Sequence, residues 1–159
     1  MLQMPEPRRG SLTGDDLRVA VICSRFNQVV TDRLLHGALE ALSESGVREE
    51  NVGTFSVPGA VEIPVLADRV ARAGGVDAIV ALGAVIRGET THYDLVCRMA
   101  ADGCLRVSLD TGIPIGFGLL TCENREQALA RSGIGRANKG HEAALTAIEM
   151  ANLLRLCGP

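Results

Sequence analysis

Two kinds of hydrophobic segment alternate along the chain. Leu17–Cys23 (LRVAVIC), Asn51–Val57, Ala78–Val85 and Pro114–Leu120 are short and largely apolar, the pattern of strands covered on both faces. Between them, apolar residues recur at three- and four-residue intervals. Residues 28–45 place Val30, Leu34, Leu35, Ala38, Leu39 and Leu42 on one helical stripe, and Gly46 marks its end. A second helix is predicted over Ala60–Ala73, with Pro64 in its first turn or so, where a missing N–H is tolerated, and Gly74-Gly75 as its stop. A third, of about twenty residues, runs from Thr90 or Thr91 to Leu109. Two more follow the last strand, at Asn124–Arg131 and Asn138–Leu156. Residues 1–16, polar and interrupted by Pro5, Pro7, Gly10 and Gly14, read as an N-terminal arm.

Apolar strands that alternate with helices predict an α/β fold, a three-layer sandwich in which helices flank both faces of a four-stranded parallel sheet, with right-handed crossovers. A flavodoxin-like topology is expected. No repeat or linker divides residues 17–159, so they form one expected domain. Open sheets of this kind bind ligands beyond the carboxyl ends of their strands. That rule alone nominates the loops at 24–27, 57–62, 84–92 and 121–124.

Composition narrows the function. Aromatic residues are scarce, three Phe, one Tyr and no Trp in 159 residues, so the core is built from small aliphatics. Such a chain lacks the exposed rings of a single-strand nucleic-acid binder. A net charge of −3 likewise gives no reason to expect nucleic acid or an anionic membrane as partner. The five cysteines form no C-x-x-C pair or metal-like spacing, and the first residues, MLQMPEPRRGS, carry no apolar leader. Reduced thiols and a cytoplasmic location are expected.

The third loop carries the most chemistry. GAVIRGET, Gly83–Thr90, approaches the P-loop pattern, but Glu89 stands where the phosphate-binding lysine belongs and would repel a nucleotide. The strand-to-helix turn still offers free backbone N–H groups that can hold a single phosphate, although an ordinary turn has the same shape. His92, just beyond it, is expected partly buried at the crevice mouth, where it can exchange protons near neutral pH. His36 and His141 lie within helices and read as structural. Phe26, in SRFN, is a ring on a ligand-side loop or a core plug. Phe117, between Gly116 and Gly118, allows close backbone approach. Arg131 and Arg87 are each a potential anion clamp or a helix-end charge. No G-x-G-x-x-G follows the first strand, and no G-x-S-x-G elbow occurs.

Taken together, RFN (25–27), VPGAVEIP (57–64), GAVIRGETTHYDLV (83–96), PIGFGLLT (114–121) and NKGHEAALTAIEMANL (138–153) resemble the 6,7-dimethyl-8-ribityllumazine synthase family. The resemblance spans residues 17–153. It implies a condensing enzyme of riboflavin biosynthesis, which joins 5-amino-6-(D-ribitylamino)uracil to 3,4-dihydroxy-2-butanone 4-phosphate and releases phosphate and water. No cofactor or metal is implied. It further implies a homo-oligomer, a pentamer or a sixty-subunit shell, with active sites at subunit interfaces.

The same resemblance assigns roles. Phe26 stacks on the pyrimidine, and Ala60, Val61 and Glu62 receive the ribityl chain. Ala84, Val85 and Ile86 offer backbone contacts to the uracil edge. Gly88, Glu89 and Thr90 line the phosphate pocket, Arg131 pairs with the phosphate, and Lys139 lies near it. His92 transfers protons. Phe117 and Arg131 are expected from the neighbouring subunit. Two departures are small: the RFN ring is Phe where some members carry Trp, and Ser24 stands where many have Ala. GIGRANKG (133–140) lacks the extra residues of purely pentameric members and so resembles the shell formers.

Overall fold

A computed structural model describes residues 1–159, the Arg136 side chain apart. Four strands, β1 (Val19–Ser24), β2 (Val52–Val57), β3 (Ala78–Ile86) and β4 (Ile115–Cys122), alternate with five helices. These are α1 (Gln28–Glu44), α2 (Glu62–Ala73), α3 (His92–Thr111), α4 (Arg125–Arg131) and α5 (Lys139–Cys157). All pairings are parallel, in the order β2-β1-β3-β4. The α/β sandwich expected from the alternation is therefore the fold observed.

Strand periodicity sorts the core into two layers. Val19 and Val21 of β1, with Val80 and Leu82 of β3, face Leu34, Ala38 and Leu42 of α1 and Ala144, Ala147 and Ile148 of α5. Ala20, Ile22, Ile79 and Ala81 point the other way, onto Ile63 and Ala67 of α2 and Ala100, Cys104 and Val107 of α3. Small residues bring the helices close. A Cβ on Gly140 would collide with the Leu34 carbonyl of α1, and one on Gly116 with the Ala143 carbonyl of α5. Because that obstacle is backbone, Gly140→Ala should cost about 1–3 kcal/mol through overpacking. Calorimetry should show a melting temperature several degrees lower; an unchanged one would mean that the two helices are not in close register.

Several expectations shift at their edges. Leu17 is buried but precedes β1, since its N–H closes a turn onto the Gly14 carbonyl at 3.0 Å. Helix α2 starts at Glu62 rather than Ala60, and β4 continues through Cys122, into the segment expected as a loop. β2 is not covered on both faces: Gly53–Ser56 are exposed, because β2 forms one edge of the sheet. Within the arm, residues 10–16 lie along α5. Asn152 donates to the Ser11 and Thr13 carbonyls at 2.7 and 2.9 Å, and Arg155 pairs with Asp16 at 2.9 Å. Residues 1–9 are exposed and without regular structure. Among the described residues, no helix is long and apolar enough to cross a membrane.

Burial raises the Cys23 and Cys104 thiols from their usual 9.0 to about 11. The unfolded chain therefore loses these protons at lower pH than the folded one. The stability these two thiols contribute is complete below pH 9 and is lost as the pH rises towards 11, by roughly 2 kcal/mol per thiol. Urea midpoints should decline over that window, and less so in Cys104→Ala; equal declines in both proteins would remove this thiol from the explanation.

Candidate active site

The carboxyl ends of β1, β2 and β3 build one rim. After β1, the Arg25 N–H donates to the Val57 carbonyl at 2.9 Å and the Phe26 N–H to the Pro58 carbonyl at 3.2 Å. Asn27 then takes the left-handed conformation (φ 62°), which Asn accepts more readily than most residues. Its side-chain amide donates to the Ala84 carbonyl at 2.8 Å, and its own carbonyl accepts from Val30 and Thr31 of α1. One residue thus ties the first loop to β3 and begins a helix. The Phe26 ring is left 72% exposed, a large apolar surface on the rim. Just below, Ser24 is buried, and its hydroxyl lacks a hydrogen-bond partner among the described residues.

The second loop ends in the first turn of α2. Ala60 is buried, Val61 half-buried and Glu62 exposed. No side chain caps this helix, and the Glu62 carboxylate lies back over Gly59. In the third loop, Ala84 is buried, Val85 and Ile86 are half-buried, and Gly88, Glu89, Thr90 and His92 are exposed. The N–H groups of Gly88, Glu89 and Thr90 find no acceptor among the described residues, whereas the His92 N–H approaches the Thr90 hydroxyl at 3.4 Å. The turn therefore presents donors at the start of a twenty-residue helix, an arrangement suited to an anion. His92 itself is not partly buried, as its place in the crevice suggested; in the single chain it stands in solvent.

Phe117, Arg131 and Lys139 occupy a different place. Phe117 is paired with Ala81, five residues before the ends of β3 and β4, so it sits about 17 Å back from the strand ends. It is 44% exposed on β4, the other edge of the sheet. With Leu119, Thr121, Arg131 and Lys139 it lines a cavity of about 210 Å³ that contains none of Phe26, Glu62 or His92. Arg131 ends α4 and donates one bond to the Gln127 carbonyl at 3.2 Å. Lys139 pairs with Glu142 at 2.7 Å. One chain thus brings Phe26, Ala60–Glu62, Ala84–Ile86, Gly88–Thr90 and His92 to one rim, and holds the other three elsewhere.

Between these groups lies a polar cluster that the sequence marked only at Arg87. Arg87 bonds to Glu123 and Asp94, which raise its pKa further, and lies over the Tyr93 ring. Tyr93, Cys97 and Cys122 are all raised, chiefly by burial. Asn27, Asp94 and Glu123 received no role from sequence reasoning. For Asn27, an Asn directly before a helical stripe was the available signal.

A doubly wound parallel sheet, with a ring, a turn of free backbone N–H groups and a histidine gathered at its carboxyl edge, defines a small-molecule α/β enzyme scaffold. The chain belongs to the 6,7-dimethyl-8-ribityllumazine synthase family, whose pattern matches residues 16–155. It is also similar to a protein of Desulfatibacillum aliphaticivorans named 6,7-dimethyl-8-ribityllumazine synthase, at 49% identity over 150 residues, which cover 94% of this chain and 97% of that protein.

Proposed function

We propose that the protein condenses 5-amino-6-(D-ribitylamino)uracil with 3,4-dihydroxy-2-butanone 4-phosphate to 6,7-dimethyl-8-ribityllumazine, the penultimate step of riboflavin biosynthesis, in the cytoplasm. The observation that carries this reading is the family match over residues 16–155, which spans every loop of the rim. An amine attacks a ketone and water leaves to give an imine; phosphate is then eliminated, and ring closure expels a second water. Phe26 stacks on the pyrimidine, Glu62 accepts from ribityl hydroxyls, and the Ala84–Ile86 backbone reads the uracil edge. His92 carries protons between these steps. Arg131 and the N–H groups of Gly88–Thr90 hold the departing phosphate charge. Lys139 adds a second cation near it. Neither metal nor cofactor is required by these steps.

The separation of Phe117, Arg131 and Lys139 from the His92 rim favours a site completed by a neighbouring subunit, in a ring of five or a shell of sixty. A head-to-tail ring would seat the β4 edge of one chain beside the rim of the next. Mixing inactive His92→Ala and Arg131→Ala chains tests this. Random assembly of equal amounts should restore roughly a quarter of the sites, because a site is intact only when both contributing chains carry the needed residue. A mixture no more active than its components would place both residues in a site within one chain.

A further inference from the structure

Arg87 directly follows β3 and opens the loop that carries Gly88–Thr90 and His92. Its backbone N–H donates to the Cys122 carbonyl at 2.9 Å, at the end of β4. Its side chain reaches two acids, one on α3 and one on the loop between β4 and α4. Nε donates to Glu123 at 2.7 Å, and the two terminal nitrogens face the two oxygens of Asp94 at 3.4 and 3.5 Å. The guanidinium carbon stands 4.3 Å from the centre of the Tyr93 ring. Asp94 lies two residues beyond His92, in the first turn of α3. Glu123 lies beside Asn124, whose side chain caps α4 by accepting from the Gln127 N–H at 2.9 Å. The Glu123 N–H in turn donates to the Gln127 side chain at 2.9 Å, and Gln127 bears the carbonyl that Arg131 grips.

Resting on the proposed condensation, we infer that Arg87 is a positioning residue: its fork ties the His92 loop to the head of α4 and does not bind the phosphate substrate. Two features distinguish it from a phosphate ligand. Its donors already point at two carboxylates, whereas Arg131 makes one bond to its own helix. The flat face of the guanidinium also rests on Tyr93, which fixes the plane of the fork. The ion pairs are partly exposed, so they contribute little to global stability. Their consequence is geometric. A proton-transfer group displaced by about 1 Å can lose roughly a hundredfold in rate.

Arg87→Gln, Arg87→Lys, Glu123→Gln and the Arg87→Gln/Glu123→Gln pair separate the alternatives. The clamp predicts that Arg87→Gln lowers kcat by about 10–100-fold. Glu123→Gln should lower kcat as well, without raising KM for the phosphate substrate. The double variant should be no worse than Arg87→Gln alone, the signature of one shared interaction. Lysine, a single point charge, should not rescue. Hydrogen exchange of the Arg87 and Asp94 amides, measured on the assembled protein without substrate, should quicken in both single variants. Phosphate ligation predicts the reverse pattern: a raised phosphate KM in Arg87→Gln, unchanged kcat and exchange in Glu123→Gln, and rescue by lysine. That pattern would overturn the clamp. A wild-type protein that formed no lumazine would sink the proposed condensation, whereas unchanged exchange in Glu123→Gln would sink the clamp.

Discussion

Replacing His92 by alanine is expected to slow lumazine formation by about 10²–10⁴-fold, the range in which a positioned acid–base group acts. The sequence of steps explains the size of the effect. Imine formation, phosphate elimination and ring closure each move a proton, and His92 is the side chain on the rim suited to exchange one near neutral pH. It stands at the first position of α3, next to the loop proposed to hold the phosphate. Its imidazole is exposed and makes no packing contact that the core needs. The substitution should therefore leave the melting temperature and assembly size unchanged. KM for both substrates should change little, because the lost interaction is made in the transition state. Steady-state kinetics with each substrate varied in turn would check this. An unchanged kcat would take His92 out of the mechanism.

Arg131→Ala is the second large effect, expected at about 10²–10³-fold in kcat/KM for the phosphate substrate. Arg131 ends α4 with one bond to Gln127, and the rest of its fork borders the cavity it shares with Phe117 and Lys139. A planar fork can take two phosphate oxygens at once, which a lysine cannot, so Arg131→Lys should recover only part of the loss. KM for the uracil substrate should stay near the wild-type value. A loss confined to the uracil substrate would instead assign Arg131 to the pyrimidine or ribityl end.

Much of the fold was legible because its strands and helices announce themselves by different periods. Leu17–Cys23 and Ala78–Val85 could be read as strands because both faces are covered, and the 30–42 stripe because one face is. β2 was placed but misread in its environment. Its Gly-Thr-Phe-Ser centre is that of a strand left open at the sheet edge, and edge position is a tertiary fact. Helix starts shifted by one or two residues where turns at 59–63 and 90–94 precede the helix proper.

The rim was legible for a different reason. The rule for open sheets selects loops by topology, and Phe26, Glu62 and His92 fall in those loops. Phe117 and Lys139 do not. Phe117 was marked only by its glycine neighbours and Lys139 only by resemblance, and in the chain both sit away from the rim, on the β4 side. The Arg87 cluster escaped because its partners are seven and thirty-six residues away, on elements whose juxtaposition depends on the β3–β4 register. No periodicity encodes such a contact.

The most direct test of the central claim uses the purified protein with both substrates, followed by the absorbance of the lumazine product against a protein-free blank. The account predicts rapid formation that saturates in each substrate and releases one phosphate per lumazine. Formation no faster than the blank would contradict it.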